Sequence, residues 1–434
     1  MHKIVCPIQL QAEKNPENIA IETNKITISY KKLHQSISNY SENIQYSEKP
    51  IAFKAHCEVN TIIFIFACIR KKQVIFPINP NFSEEYTQKL LEEASISRLT
   101  DILDINSSPN MTSKKTTELL SKDQLCTIIA TSGSSGKPKC AVHTLQNHIA
   151  SATASQAIIP LTDSDSWLLS LPLYHVSGLS ILFRCFLAGA KVLLSEKKQF
   201  THVSMVPYQL QKAIQNEQSR LHHAKVCLVG GGPIQKELLK HPFKKVIIYQ
   251  TYGLTEMSSQ VITNNIPLKS GSVIIKKDKS IWVKGETLFQ GYLENGVIRK
   301  YTDKDGYFNT GDMGQYKNET IEIIGRKDRM FISGGENIHP EEIEHITLEI
   351  PYIQRAIVVG IDDTEFGTVP YLFIKTAQFY TAIEDIRKHL SRLPKYKQPV
   401  KIYEIPKFFE EEKVSYSKLS EHTKQIIFKK NKKS

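Results

Sequence analysis

The chain has 434 residues, 41% hydrophobic and 23% charged, the make-up of an ordinary globular protein long enough for two or more domains. Its formal charge is +12, but much of the excess lies in residues 424–434 and in scattered pairs such as Lys31-Lys32 and Lys276-Lys277. With no basic stripe interleaved with aromatics, nucleic acid is not an expected partner.

In chain order, short β-branched runs at 50–53, 74–77, 127–130, 191–194, 225–229 and 245–249 read as strands, and 83–94 and 144–157 as helices between them. That alternation predicts an α/β architecture. From about Gly271 the texture changes to short runs, 279–283 and 320–324, set among Gly, Asp and Asn, which predicts a small β-rich subdomain. Past Gly325-Arg326-Lys327-Asp328 a new unit starts, with a helix at 340–350 that has Pro at its first position, strands at 355–361 and 370–376, and a helix at 382–391. The expected organisation is a large α/β domain at 1–325, a hinge at 326–328 and a small α+β domain at 329–434. The longest apolar stretches, 61–69 and 167–194, are too short or are broken by Pro172, His175, Gly178 and Arg184, so no membrane insertion is expected. Residues 1–10 lack the apolar core of a signal peptide, and the seven cysteines contain no CxxC pair. Both features suggest a reducing, cytoplasmic setting.

The most informative segment is Thr131-Ser132-Gly133-Ser134-Ser135-Gly136-Lys137-Pro138-Lys139, directly after the strand at 126–130. Glycines let backbone N–H groups converge, hydroxyls add donors and two lysines add charge, which suits a polyphosphate. It is not a Walker motif, since the glycines stand too close and no Ser or Thr follows Lys137; the lesser alternative, on composition alone, is a surface turn. Gln250-Thr251-Tyr252-Gly253-Leu254-Thr255-Glu256 follows the strand at 245–249, where ligands bind in open α/β sheets. Read as a loop there, it offers Tyr252 as a flat face, Thr255 as a hydroxyl and Glu256 as a hard oxygen ligand for magnesium, or else a strand–turn–helix with Glu256 beside the helix start. Gly230-Gly231-Gly232 implies close backbone approach, to a packed element or a planar ligand. Asp312 and Arg326, on two nearby turns, suit ribose hydroxyls or a surface ion pair. Gly334-Gly335 is either a turn needing positive φ or the wall of a thin tunnel, and His175 is either a core histidine or a pocket residue.

These segments stand in the order of the adenylate-forming superfamily of acyl-CoA synthetases, luciferases and peptide adenylation domains. TSGSSGKPK resembles its phosphate loop, QTYGLTE its nucleotide and magnesium segment, NTGD its ribose aspartate, and GRKDRMFISGGENIHPEEIE its hinge and mobile C-terminal domain. Within the superfamily, LPLYHVSGLSILFRCFLAGA, GYLENG and EFGTVP are most similar to the o-succinylbenzoate–CoA ligases of menaquinone synthesis. The resemblance implies ATP, Mg²⁺ and coenzyme A as co-substrate, a small carboxylate as substrate, and leaves room for a homodimer. It implies ATP/AMP contacts at Thr131, Ser132, Gly133, Ser134, Ser135, Gly136, Lys139, Gly231, Gly232, Thr251, Tyr252, Gly253, Thr255, Asp312 and Arg326, with Glu256 at the metal. Asp328 would be the pivot, Gly334 and Gly335 would line the coenzyme A channel, and His175, Ser177 and Gly178 would meet the acid. His175 and Glu256 would also take part in the chemistry.

The superfamily's late catalytic lysine usually follows Gly. Here Lys413 aligns best, after Glu412, with Lys418 as the alternative. A pocket for a second carboxylate needs donors or a cation, and the polar residues on offer are His175, Ser177 and Arg184, with Gln209 on another wall. His175 and Ser177 are the expected pair, with Arg184 facing solvent. Other aryl or medium-chain acids, a stand-alone module loading a carrier protein, and a non-catalytic adenylate binder remain open alternatives.

Overall fold

The computed structural model describes residues 3–96, 99–102, 119–131, 139–216, 218–232, 234, 236–406 and 416–431. Ser132, Gly133, Ser134, Ser135, Gly136 and Lys413 therefore lie outside the described residues. Two large sheets carry the N-terminal part. A nine-stranded sheet contains the parallel strands His202–Met205, Val226–Val229 and Ile247–Leu254 and ends in the antiparallel Ser259–Thr263 and Ile266–Pro267. A six-stranded sheet contains Ile51–Lys54, Ile75–Ile78 and Leu125–Thr131 in parallel, followed by the antiparallel Lys139–Thr144.

Helix Val59–Arg70 is buried almost all round and shares one core with Val176–Ala188; Phe64, Phe66, Phe183 and Phe186 pack there. A helix apolar on every face has to lie inside the protein, and this one does. Local signals place the helix starts. Ser83 accepts from the Tyr86 N–H, and Thr144 and Asn147 form a reciprocal capping box. Gly189, at φ +77°, ends Val176–Ala188 in the left-handed conformation that other residues resist.

The β-rich subdomain is a four-stranded sheet of Val273–Ile275, Ser280–Val283, Phe308–Lys317 and Thr320–Arg326. The expectation needs one amendment: Gly291–Glu294 leaves it and pairs with Lys139–Thr144, placing Tyr292 opposite Ala141. A second amendment concerns QTYGLTE. It is not a loop after a strand, because the strand runs from Ile247 through Leu254 and only Thr255–Met257 forms a turn. Gly253 explains this. A side chain there would meet the Ser259 carbonyl at 2.1 Å, so its absence lets the two strands pair tightly. No α-helix follows, which removes the strand–turn–helix reading.

Beyond Arg326 come the hairpin Phe331–Ser333/Glu336–Ile338 and a three-stranded sheet of Arg355–Asp363, Gly367–Lys375 and Lys401–Glu404. Helices Pro340–Leu348 and Phe379–Leu390 share an apolar core with this sheet, and Leu419 of Tyr416–Asn431 packs into a second cluster with it. The expected α+β composition is present.

Candidate functional site

Thr131 and Lys139 are the last pair of their antiparallel ladder, at one end of the sheet, and the Thr131 hydroxyl donates to the Lys139 carbonyl at 3.4 Å. The Lys139 ammonium sits 5.0 Å from the ring centroid of Tyr292, whose hydroxyl donates to Glu256 Oε1 at 2.5 Å. Lys139 and Glu256, far apart in sequence, are thus joined through a residue that sequence reasoning did not single out. Its only signal was its place in GYLENG. Burial first, and then the Glu256 charge, pushes the Tyr292 hydroxyl well above the usual phenol range, so it stays a donor.

The turn carrying Glu256 is held from beneath. His143 Nε2 lies 2.7 Å from the Thr255 carbonyl, which can only accept, so that nitrogen carries the proton. The Phe289 N–H donates to the Glu256 carbonyl at 2.8 Å, and the Ser151 hydroxyl donates to the Ser258 carbonyl at 2.8 Å. Burial pushes His143 down to about 4, leaving it neutral at pH 7.

A second cluster surrounds Tyr252, whose hydroxyl donates to Asp312 Oδ2 at 2.5 Å. Arg326 reaches Asp312 Oδ1 at 3.4 Å, the Thr310 carbonyl at 3.0 Å and Asp328 Oδ2 at 2.8 Å. Asp312 and Arg326 are not on two separate turns as expected. They face each other across paired strands, and Asp312 is mostly buried rather than half of a surface pair. Burial raises the Asp312 carboxyl above its ordinary value even though Tyr252 and Arg326 pull the other way.

Several glycines and polar residues have local structural duties. In the glycine triplet the tight approach is at Gly230, where a side chain would meet Thr251 Cγ2 at 2.7 Å. Gly231 and Gly232 are exposed beside Val206 and Pro207. The Thr251 hydroxyl donates to the Ile262 carbonyl inside the sheet. Gln209 caps its own helix, Oε1 accepting from the Val206 N–H at 3.0 Å. Gly334 and Gly335, at φ +56° and +85°, form the two-residue turn of the hairpin, the positive-φ alternative.

In the segment expected to meet the acid, exposed His175 precedes helix Val176–Ala188 with its ring edge-on to Tyr174. Gly178 fits because a side chain would overlap the Pro172 carbonyl at 2.1 Å. Arg184 corrects the sequence expectation. It does not face solvent but is 1% exposed. Ser177, Ser180 and Arg184 follow helical spacing along one stripe. Arg184 Nη2 donates to Gln260 Oε1 at 2.8 Å and Ser259 Oγ at 3.3 Å, its guanidinium lies 5.2 Å from the Trp167 ring, and its Nε is buried with no partner. Among the described residues no carboxylate forms an ion pair with it. Burial pushes it down to about 10, so it stays protonated at neutral pH.

Just after Asp328, Arg329 binds Glu341 at 2.8 Å and Glu344 at 2.5 Å and lies 3.7 Å from the Tyr416 ring centroid. Glu341 also accepts from the Arg326 N–H at 3.2 Å, tying the end of strand Thr320–Arg326 to helix Pro340–Leu348.

The AMP-binding enzyme family matches residues 99–279, and the AMP-binding enzyme C-terminal domain matches residues 342–411. The chain is 32% identical over 451 residues to the 2-succinylbenzoate–CoA ligase of Bacillus cytotoxicus, covering 90% of this chain and 93% of that protein. It is 32% identical over 403 residues to the enzyme of the same name from Haemophilus influenzae, covering 87% and 88%. A solved structure of an arginine-to-lysine variant of E. coli MenE with bound OSB-AMS superposes with a TM-score of 0.82 at 26% identity, over 98% of this chain and 99% of that one.

Proposed function

The chain belongs to the 2-succinylbenzoate–CoA ligase family of AMP-binding enzymes, and on that premise we propose that it converts 2-succinylbenzoate to its CoA thioester through an acyl-adenylate. The observation that carries the choice of acid is Arg184. A guanidinium buried with no counter-charge among the described residues is costly, and a substrate that brings a second, unreactive carboxylate supplies what is missing. A fatty acid would leave that charge uncompensated.

In the first half-reaction a substrate carboxylate oxygen attacks the α-phosphorus of ATP, and the bond to the departing pyrophosphate breaks. Both reactants are anions, so the protein's task is to gather positive charge and fixed donors around them. We assign Thr131, Lys139 and residues 132–136 to the phosphates, Lys413 to the space between carboxylate and α-phosphate, and Asp312 and Arg326 to the ribose. Tyr252, Gly231 and Gly232 border the adenine slot. Glu256 suits magnesium: Tyr292 occupies Oε1 and leaves Oε2 without a hydrogen bond among the described residues, and one carboxylate plus substrate phosphates is a usual magnesium donor set. Bound there, magnesium supplies charge neutralisation along the triphosphate. In the second half-reaction the coenzyme A thiolate attacks the acyl carbon and AMP departs. A rotation about Asp328 carries Lys413 away and brings Gly334 and Gly335 to the thiol channel.

Among the described residues no helix is long and apolar enough to cross a membrane. We place the enzyme in the cytoplasm, acting on small molecules without nucleic acid, as a monomer or homodimer.

ATP–pyrophosphate exchange with 2-succinylbenzoate, benzoate and octanoate, followed by thioester formation with free coenzyme A, tests the reading. Exchange and thioester are expected with 2-succinylbenzoate. Exchange with benzoate or octanoate alone would overturn the acid, and transfer only to a phosphopantetheine protein would overturn the acceptor.

A further inference from the structure

We propose that Gln260 is a positioning residue that holds Arg184 ready for the substrate's second carboxylate, and that it serves because it is a neutral acceptor. The inference rests on the reading of Arg184 given above. Gln260 lies on strand Ser259–Thr263 and is 3% exposed. Its Oε1 accepts from Arg184, and its Nε2 donates to the Thr263 hydroxyl at 3.1 Å. A guanidinium can only donate, so the amide oxygen must face Arg184, and the Thr263 bond fixes the other end of the amide.

The remaining contacts of Arg184 are of the same kind. Ser259 offers a hydroxyl and Trp167 a ring face, and both orient the guanidinium without cancelling its charge. A carboxylate at position 260 would accept the same hydrogen bond in nearly the same volume. It would also neutralise the arginine and repel an incoming anion. A preference for a dicarboxylate at Arg184 would thus depend on an amide standing where an acid would fit sterically.

The experiment compares kcat/KM for 2-succinylbenzoate with kcat/KM for 4-oxo-4-phenylbutanoate, which keeps the reacting arm and lacks the ring carboxylate. In Gln260→Glu the ratio is expected to fall at least about tenfold while Tm stays at or above that of the unchanged protein, since a buried charge gains a partner. A merely structural glutamine would not separate the two acids. An unchanged ratio in Gln260→Glu, with a lowered ratio in Arg184→Met, would overturn the role of Gln260 and leave that of Arg184 standing. An unchanged ratio in Arg184→Met would overturn both. If Gln260→Glu does not fold, Gln260→Met decides: KM for 2-succinylbenzoate should rise more than KM for the analogue, and an equal rise overturns the proposal.

Discussion

Arg184 and Arg329 are both largely buried, and their surroundings are opposites. Arg329 sits between Glu341 and Glu344, with the face of Tyr416 against it. Burial opposes its charge, but the two carboxylates outweigh burial and hold its guanidinium above the usual range. Arg184 meets an amide, a hydroxyl and an indole, and burial alone pushes it down to about 10. An arginine that serves the fold draws its counter-charge from its own chain. One that serves recognition, as proposed for Arg184, would keep neutral neighbours and leave the counter-charge to the ligand.

The largest effect expected from this contrast is on stability at Arg329. Arg329→Met strands Glu344, which is 5% exposed and also accepts from the Val358 N–H. Removing one partner of such a pair costs about 3–5 kcal/mol, readable from urea unfolding. A loss below about 1 kcal/mol would mean that the cluster is not structural.

His143 sharpens the comparison from another side, because a histidine can escape burial by giving up its proton and an arginine at pH 7 cannot. Its folded pKa, about 4, lies below the ordinary 6.5, so on acidification the unfolded chain binds the proton first. Its contribution is present in full above pH 6.5 and is lost as pH falls toward 4, up to about 3 kcal/mol in all. His143→Gln should flatten part of the fall in urea midpoint between pH 7 and pH 4.5; His148, His34 and His202, displaced the same way by burial, keep a share of it. An unchanged slope in His143→Gln would contradict this account.

How much of this was legible in the sequence differs by region. Helix starts at Ser83 and Thr144, the change of texture after Gly271 and the α+β unit past Asp328 follow from local periodicity and caps, which a single sequence carries. The strand through QTYGL was hidden because Gly253 reads as a loop residue. Its reason, the closeness of Ser259, exists only in the folded sheet. Arg184 was misplaced for a related cause: a charge inside an apolar helix defaults to the surface unless its partners are known. Those hydrogen-bond partners come from a distant strand, Gln260 lying 76 positions away. Tyr292, 36 positions from Glu256, was invisible as a partner for the same reason.

Stability and selectivity should come apart at Arg184. Arg184→Met is expected to lower unfolding free energy by less than about 1 kcal/mol, if at all, since among the described residues no carboxylate is stranded when it is removed. The most direct test crosses that variant with the two acids, 2-succinylbenzoate and 4-oxo-4-phenylbutanoate, in a cycle of kcat/KM. The account predicts a loss of about 100-fold for the dicarboxylate, close to 2.7 kcal/mol, and little loss for the analogue. Equal losses for both acids would contradict it.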